Sequence, residues 1–153
     1  MAHQPTQKTT VLASGVFDLL HLGHVKFLEA AKKAGGKNAR LIVIIARDRN
    51  VEKMKGRKPI MPENQRRALV ESLRVVDQSV LGVEHFDIGN VIEQVKPDII
   101  ALGYDQADMQ RQVQAYIDKN HLNIKVVQVG KFEADELDSS SKIRMKIAEK
   151  FAR

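Results

Sequence analysis

The chain has 153 residues, 43% of them apolar, which is enough for one hydrophobic core and short for two domains. Its 25 lysines and arginines against 19 aspartates and glutamates leave a formal charge of +6, which suits an anionic partner, nucleotide phosphates or nucleic acid alike. Without cysteine, neither disulfides nor thiolate zinc sites can form, and no apolar run approaches the ~20 residues of a membrane span.

Residues 1–9 are polar and lack the apolar stretch of a secretory signal, so they are read as a flexible tail ahead of a domain at 10–153 in a cytoplasmic protein. A short β-branched run at 10–13 predicts a first strand, and apolar residues at helical spacing over 25–34 predict a first helix. A second strand follows at 41–46 and a second helix at 65–73, with basic loops at 32–37 and 53–58 between elements. Compact apolar runs at 79–81, 98–102 and 124–129 read as strands buried on both faces of a parallel sheet. Helices are expected at 88–95, 107–119 and 140–151, the last with N-cap chemistry in Asp138 to Ser141. The alternation gives one α/β domain, a Rossmann-like doubly wound parallel sheet of about five strands.

Ligands of such sheets collect beyond the carboxyl ends of the strands, where four clusters fall. The first runs from Ser14 and Gly15 through Val16, Phe17 and Asp18 to His21-Leu22-Gly23-His24. Gly15 allows a close turn after the strand, and the coming helix offers free N–H groups and a positive dipole end to a phosphate. Two imidazoles flanking Gly23 can donate to the same phosphate. Ordinary polar residues at a helix start, or a chance pair of metal ligands, are the plainer alternatives.

The second cluster, Lys53 to Pro59 followed by Met61 to Arg67, presents Lys55 and Arg66 as cations to close over a triphosphate, while its other bases suit a solvated loop equally well. The third, Gly103-Tyr104-Asp105, permits backbone approach to a base or ribose, and Asp105 offers a carboxylate for a hydrogen bond or Mg²⁺; taken alone it is a turn. In the fourth, Ser139, Ser140 and Ser141 sit at a helix start suited to further phosphates, and one of them serves as a cap. With no tryptophan and two tyrosines, no aromatic and basic residues interleave as on a nucleic-acid stacking platform, and no nucleic-acid partner is expected.

In this order the segments resemble the cytidylyltransferase-like family of nucleotidyltransferases over nearly the whole chain, with His21-Leu22-Gly23-His24 matching its His-x-Gly-His signature. The resemblance implies transfer of the α-phosphate of a nucleoside triphosphate to a phosphorylated acceptor, with release of pyrophosphate. His21 and His24 are then the groups at the α-phosphate, and Lys55 and Arg66 those that stabilise the triphosphate and the departing pyrophosphate. Mg²⁺ or another divalent cation would screen the remaining charge, and Asp18 would orient a histidine or the metal. A homodimer is implied as well.

Within the family, residues 46–48, 55–62 and 96–103 look most like archaeal-type FAD synthases, which adenylylate FMN with ATP. Glycerol-3-phosphate cytidylyltransferases, which use CTP, are next. Those enzymes carry an arginine about five residues before the serine motif, where this chain has Ala134, and the cysteine of the FAD synthases near that motif is absent. An isoalloxazine acceptor would need a broad apolar slot, for which Phe17, Phe86, Tyr104, Phe132 and several Met and Ile residues are candidates that suit the core equally well. A nucleotide-binding module without transfer activity is the reading from another class, since fold alone does not define function.

Overall fold

The computed structural model describes residues 7–132 and 137–152. Eleven elements follow one another: β1 Thr9–Gly15, α1 Leu22–Ala34, β2 Ala39–Ile45, α2 Asp48–Lys55, α3 Glu63–Glu71, β3 Gln78–Leu81, α4 Ile88–Val95, β4 Ile99–Gly103, α5 Ala107–Lys119, β5 Lys125–Val129 and α6 Ser140–Phe151. The five strands form one parallel sheet in the order β3-β2-β1-β4-β5, so the chain reverses direction across the sheet between β1 and β4. That reversal opens the crevice where doubly wound sheets bind ligands.

Strand periodicity divides the core. Val11 and Ala13 of β1 face one side with Leu41, Val43 and Ala101, and there they meet Leu28 and Ala31 of α1 and Val70 of α3. Leu12, Ile42, Ile100 and Leu102 face the other side, against Ile92 of α4 and Val113 and Ile117 of α5. Because both faces are covered, β4 is buried along its whole length, which is why its sequence reads as an unbroken apolar run. Two aspartates placed just before strands pin the register. Asp98 accepts the N–H of Thr10 at 2.8 Å, and Asp77 accepts that of Leu41 at 2.7 Å.

The architecture matches the expected single α/β domain, with strand ends displaced by at most two residues. Thr9 already belongs to β1, and residues 1–6 of the expected tail lie outside those described. Helix α2 is an element that periodicity does not show, because Val51 is its one buried residue. It is set by polar end chemistry instead. Asp48 and Glu63 cap reciprocally, the Asp48 N–H donating to Glu63 Oε2 at 2.7 Å and the Glu63 N–H to Asp48 Oδ2 at 3.3 Å. The start of α2 is thereby tied to the start of α3. The basic loop expected at 53–58 is therefore half helix, and Gly56 ends α2 at φ 72°, a left-handed turn that glycine adopts without strain.

Candidate active site

The segment between β1 and α1 crosses the carboxyl edge of the sheet in a constrained path. Phe17 and Leu19 both have left-handed backbones, at φ 54° and 50°, a conformation costly for side chains of this kind and concentrated at functional sites. Phe17 holds its conformation by burial in the α1-side core, where its ring lies beneath the loop. A Cβ on Gly15 would come within 2.9 Å of that ring, so glycine is needed for the loop to close over Phe17.

At the end of this loop His21 is the N-cap of α1, and His24 lies in its first turn. The imidazoles are stacked, with centroids 3.7 Å apart and planes 26° from parallel, and Phe17 flanks His24 at 5.3 Å. His24 Nδ1 accepts the backbone N–H of His21 at 3.3 Å, which leaves the neutral ring's proton on Nε2. Burial pushes the His24 pKa down to about 3, helped by repulsion from His21 and Lys55 and opposed by Asp18. Burial also lowers His21, against an upward pull from Asp138. Both rings are therefore neutral near pH 7 and act as hydrogen-bond donors, not as resident cations. His21 Nδ1 is buried and meets no hydrogen-bond partner among the described residues.

Gly23, between the histidines, has a steric role. A Cβ there would lie 2.9 Å from the His21 ring and 3.0 Å from the Asp138 carbonyl oxygen, so its absence lets the entry to α6 pack against the start of α1. Two helix N-termini are thus brought to one place. Ser139 caps α6 by accepting the Lys142 N–H at 3.2 Å, the Ser140 hydroxyl donates to the Asp18 carbonyl, and Ser141 accepts from Arg144 at 3.1 Å. Residue Ala134 lies outside the described residues.

Asp18 is buried, and its carboxylate joins the phosphate loop to the segment before α3: Oδ2 accepts the Ile60 N–H at 2.8 Å and Oδ1 the Met61 N–H at 2.9 Å. Arg144 Nη1 stands 3.9 Å from Oδ2, and the carboxylate's charge acts on His24, so Asp18 serves first to hold backbone and reaches the imidazole through its field. Asp105 stands on the turn after β4, and among the described residues no group of three or more histidines, aspartates or glutamates is arranged to hold a metal.

Lys55, the last residue of α2, is exposed and close enough for its charge to act on His24. Arg66 differs. Its side chain is fully buried, Nε donating to Met61 O at 2.9 Å, one terminal nitrogen to Val16 O at 2.7 Å, and the other to Ala46 O at 2.9 Å and Asp48 Oδ1 at 2.6 Å. A guanidinium so engaged ties the ends of β1 and β2 to α2 and α3 and has no open face for a triphosphate, so the expected phosphate contact is replaced by a bracing role. Sequence reasoning did not single out Asp48 or Glu63, whose signal was their position at two helix starts, nor Gln106. Gln106 accepts the Gly103 N–H at 2.8 Å and donates to Ser14 O at 3.4 Å, stapling the ends of β4 and β1 across the crevice. Tyr104, half exposed on the turn after β4, carries the Lys131 ammonium 5.7 Å from its ring centroid.

Two stacked neutral imidazoles at one helix start, a second helix start held against it and a lysine alongside stand together at the carboxyl edge of a doubly wound sheet, where such sheets take ligands. The cytidylyltransferase-like pattern matches residues 12–146, and the chain belongs to that family. Among its relatives are FAD synthases. That of Thermoplasma volcanium is 45% identical over 139 residues, 91% of this chain and 94% of the relative. That of Methanobrevibacter smithii is 47% identical over 137 residues, 90% and 89% of the two chains. That of Ferroglobus placidus is 48% identical over 133 residues, 87% and 84%. A crystal structure from Thermoplasma volcanium, described as a lipopolysaccharide core biosynthesis protein, is 42% identical with a TM-score of 0.73, covering 83% of this chain and all of the other. A protein of unknown function from Archaeoglobus fulgidus, 17% identical with a TM-score of 0.63 over 82% of this chain and all of its own, shares the fold.

Proposed function

We propose that this chain is an FMN adenylyltransferase, which transfers AMP from ATP to FMN and yields FAD and pyrophosphate. The observation that carries the transfer chemistry is the stacked pair of histidines at the start of α1, backed by the FAD synthase relatives for the substrates. An oxygen of the FMN phosphate attacks the α-phosphorus of ATP, a phosphoanhydride bond forms, and the bond to the β-phosphate oxygen breaks as pyrophosphate leaves. No covalent enzyme intermediate is needed, so the protein contributes positioning and charge stabilisation.

His24 Nε2–H, His21 and the free N–H groups of α1 donate to the α-phosphate oxygens as the phosphorus becomes pentacoordinate. Lys55 and the N-terminus of α6, with Ser141 exposed beside it, face the β- and γ-phosphates. Gly15, Val16 and Phe17 shape the floor of this cradle, and Gly103, Tyr104 and Asp105 line the place of the adenosine. Magnesium enters with the triphosphate as part of the substrate and screens its charge.

Among the described residues no helix is long and apolar enough to cross a membrane, in keeping with a cytoplasmic enzyme of small metabolites. The active form is a homodimer, as the uncovered Met145, Ile147 and Phe151 of α6 favour, and light scattering reads it directly. The transfer is tested with ATP labelled at the α- or γ-phosphate: label from the α position is expected in FAD and label from the γ position in pyrophosphate. Release of α-label as free AMP, with no FAD, would contradict it.

A further inference from the structure

The two histidines of the site are not equivalent. His24 Nδ1 is occupied by the His21 N–H at 3.3 Å, whereas His21 Nδ1 is buried and meets no hydrogen-bond partner among the described residues. The His24 N–H donates instead to the His21 carbonyl at 3.1 Å. The orphaned nitrogen lies toward the entry to α6. A Cβ on Gly23 would stand 2.9 Å from His21 Nδ1 and 3.0 Å from the Asp138 carbonyl oxygen, so the two residues are neighbours across one point. The Asp138 side chain is 5% exposed, and its carboxylate is held at 2.6 Å by the ammonium of Lys142, a side chain 49% exposed. Lys142 belongs to the first turn of α6, the helix start turned to the β- and γ-phosphates.

We infer that Asp138 is a further positioning residue of the transfer: when a bound triphosphate draws the Lys142 ammonium away, the freed carboxylate accepts from His21 Nδ1–H and holds that ring as an imidazolium against the α-phosphate. The inference rests on the proposed function. The ring then carries two protons, Nδ1–H to Asp138 and Nε2–H to the phosphate, and the added proton comes from solvent. His21 is the ring that can take it, because Nδ1 of His24 already accepts a backbone N–H. In the unliganded chain burial holds the proton off His21 and Asp138 pulls the other way, while Lys142 acts on the same carboxylate. Removing the ammonium from Asp138 and adding phosphate charge beside the ring both favour the imidazolium. The other charged groups around the pair are His24, stacked on His21; Asp18 and Lys55, whose fields fall on His24; Arg144, beside Asp18; and Lys131, which acts on Asp138. A charged donor makes a hydrogen bond to phosphate roughly twice as strong as a neutral one, so the coupling adds stabilisation where the phosphorus becomes crowded.

The test is proton uptake on binding α,β-methylene-ATP with Mg²⁺, an analogue that cannot transfer its adenylyl group. Titration calorimetry in buffers of different ionisation enthalpy reads it at about pH 7.5, above the ordinary histidine pKa. The wild-type chain is expected to take up about half a proton or more per site in excess of Asp138→Asn, whose amide does not stabilise the imidazolium. In turnover, Asp138→Asn is expected to lower kcat about tenfold and to change KM for ATP by less than about threefold. In the unliganded chain the His21 ring signal, followed by NMR and assigned with His21→Gln, should titrate lower in Asp138→Asn and higher in Lys142→Ala. A merely structural Asp138 would not give these opposite shifts, and Lys142→Ala, which trims an exposed side chain, keeps the test open should Asp138→Asn fail to fold. Equal uptake in wild type and Asp138→Asn, or a His21 titration that Lys142→Ala leaves in place, would overturn the inference and leave the proposed function standing. Asp138-dependent uptake in a chain that forms no FAD would overturn the proposed function and keep the proton coupling; a wild-type chain that does not bind the analogue would overturn both.

Discussion

Replacing Arg66 with alanine separates a bracing role from a phosphate-binding one. The guanidinium is fully buried and makes four hydrogen bonds, three to carbonyls and one to Asp48, so truncation strips the carbonyls of Val16, Ala46 and Met61 of a charged donor and leaves Asp48 without its partner. Breaking a buried ion pair from one side costs ~3–5 kcal/mol. The Asp48 side chain is 28% exposed, so water recovers part of this and places the loss near the lower end, about 3 kcal/mol. For a chain of this size each kcal/mol lowers the melting temperature by ~2–4 °C, giving a fall of roughly 6–12 °C. Arg66→Lys keeps the charge but cannot fork across four acceptors, and is expected to recover less than half of that. Thermal unfolding followed by circular dichroism, with turnover measured well below each transition, is the assay. An Arg66→Ala chain that melts within about 2 °C of wild type yet has lost turnover would refute the bracing argument and return the guanidinium to the phosphates.

Three further outcomes follow from the site. His24→Ala is expected to lower kcat by ~10²-fold or more with little change in melting temperature, as for loss of a preorganised donor at a reacting centre; near-normal turnover in steady-state assays would remove His24 from the mechanism. Gly23→Ala would push a methyl group to 2.9 Å from the His21 ring and 3.0 Å from the Asp138 carbonyl, parting the two helix starts. A fall of ~10–100-fold in kcat/KM is the expected cost of misplacing the cradle by an ångström, and full activity in that variant would deny the glycine its packing role. The third outcome concerns pH. His24 titrates near 6.5 when unfolded and at about 3 when folded, so between these values the unfolded chain holds a proton that the native ring refuses. Stability therefore falls as pH drops from about 6.5 toward 3, by up to ~1.4 kcal/mol per unit, and His24→Gln should flatten that slope in urea denaturation at pH 7 and 5; equal slopes would count against a neutral His24.

The sheet was legible in the sequence because its central strands are buried on both faces, so β2 and β4 stand out as apolar runs and the helices between them as spaced ones. The His-x-Gly-His cluster was legible because glycine, helix start and paired imidazoles coincide at a strand end. What the sequence hid was held by polar contacts. Helix α2 has one buried side chain and depends on Asp48 and Glu63 exchanging caps, a pairing across 15 residues that periodicity does not record. Arg66 drew attention as a cation for the triphosphate, and its burial follows from carbonyls of three separate segments converging on it, which no local pattern records. Asp18 likewise drew attention as a carboxylate near phosphates, while its two backbone donors come from residues more than forty positions away. Gly23 stood out in the sequence only as the residue between the histidines, and the backbone it makes room for belongs to a segment more than a hundred positions away.

The central claim is adenylyl transfer to FMN, and it is tested most directly by pyrophosphate release from the purified chain with Mg²⁺, pairing ATP or CTP with FMN or glycerol 3-phosphate. The account predicts release with ATP and FMN together, matched by FAD formed in equal amount, and background rates in the other three mixtures. Turnover with CTP and glycerol 3-phosphate, or silence in all four, would contradict it.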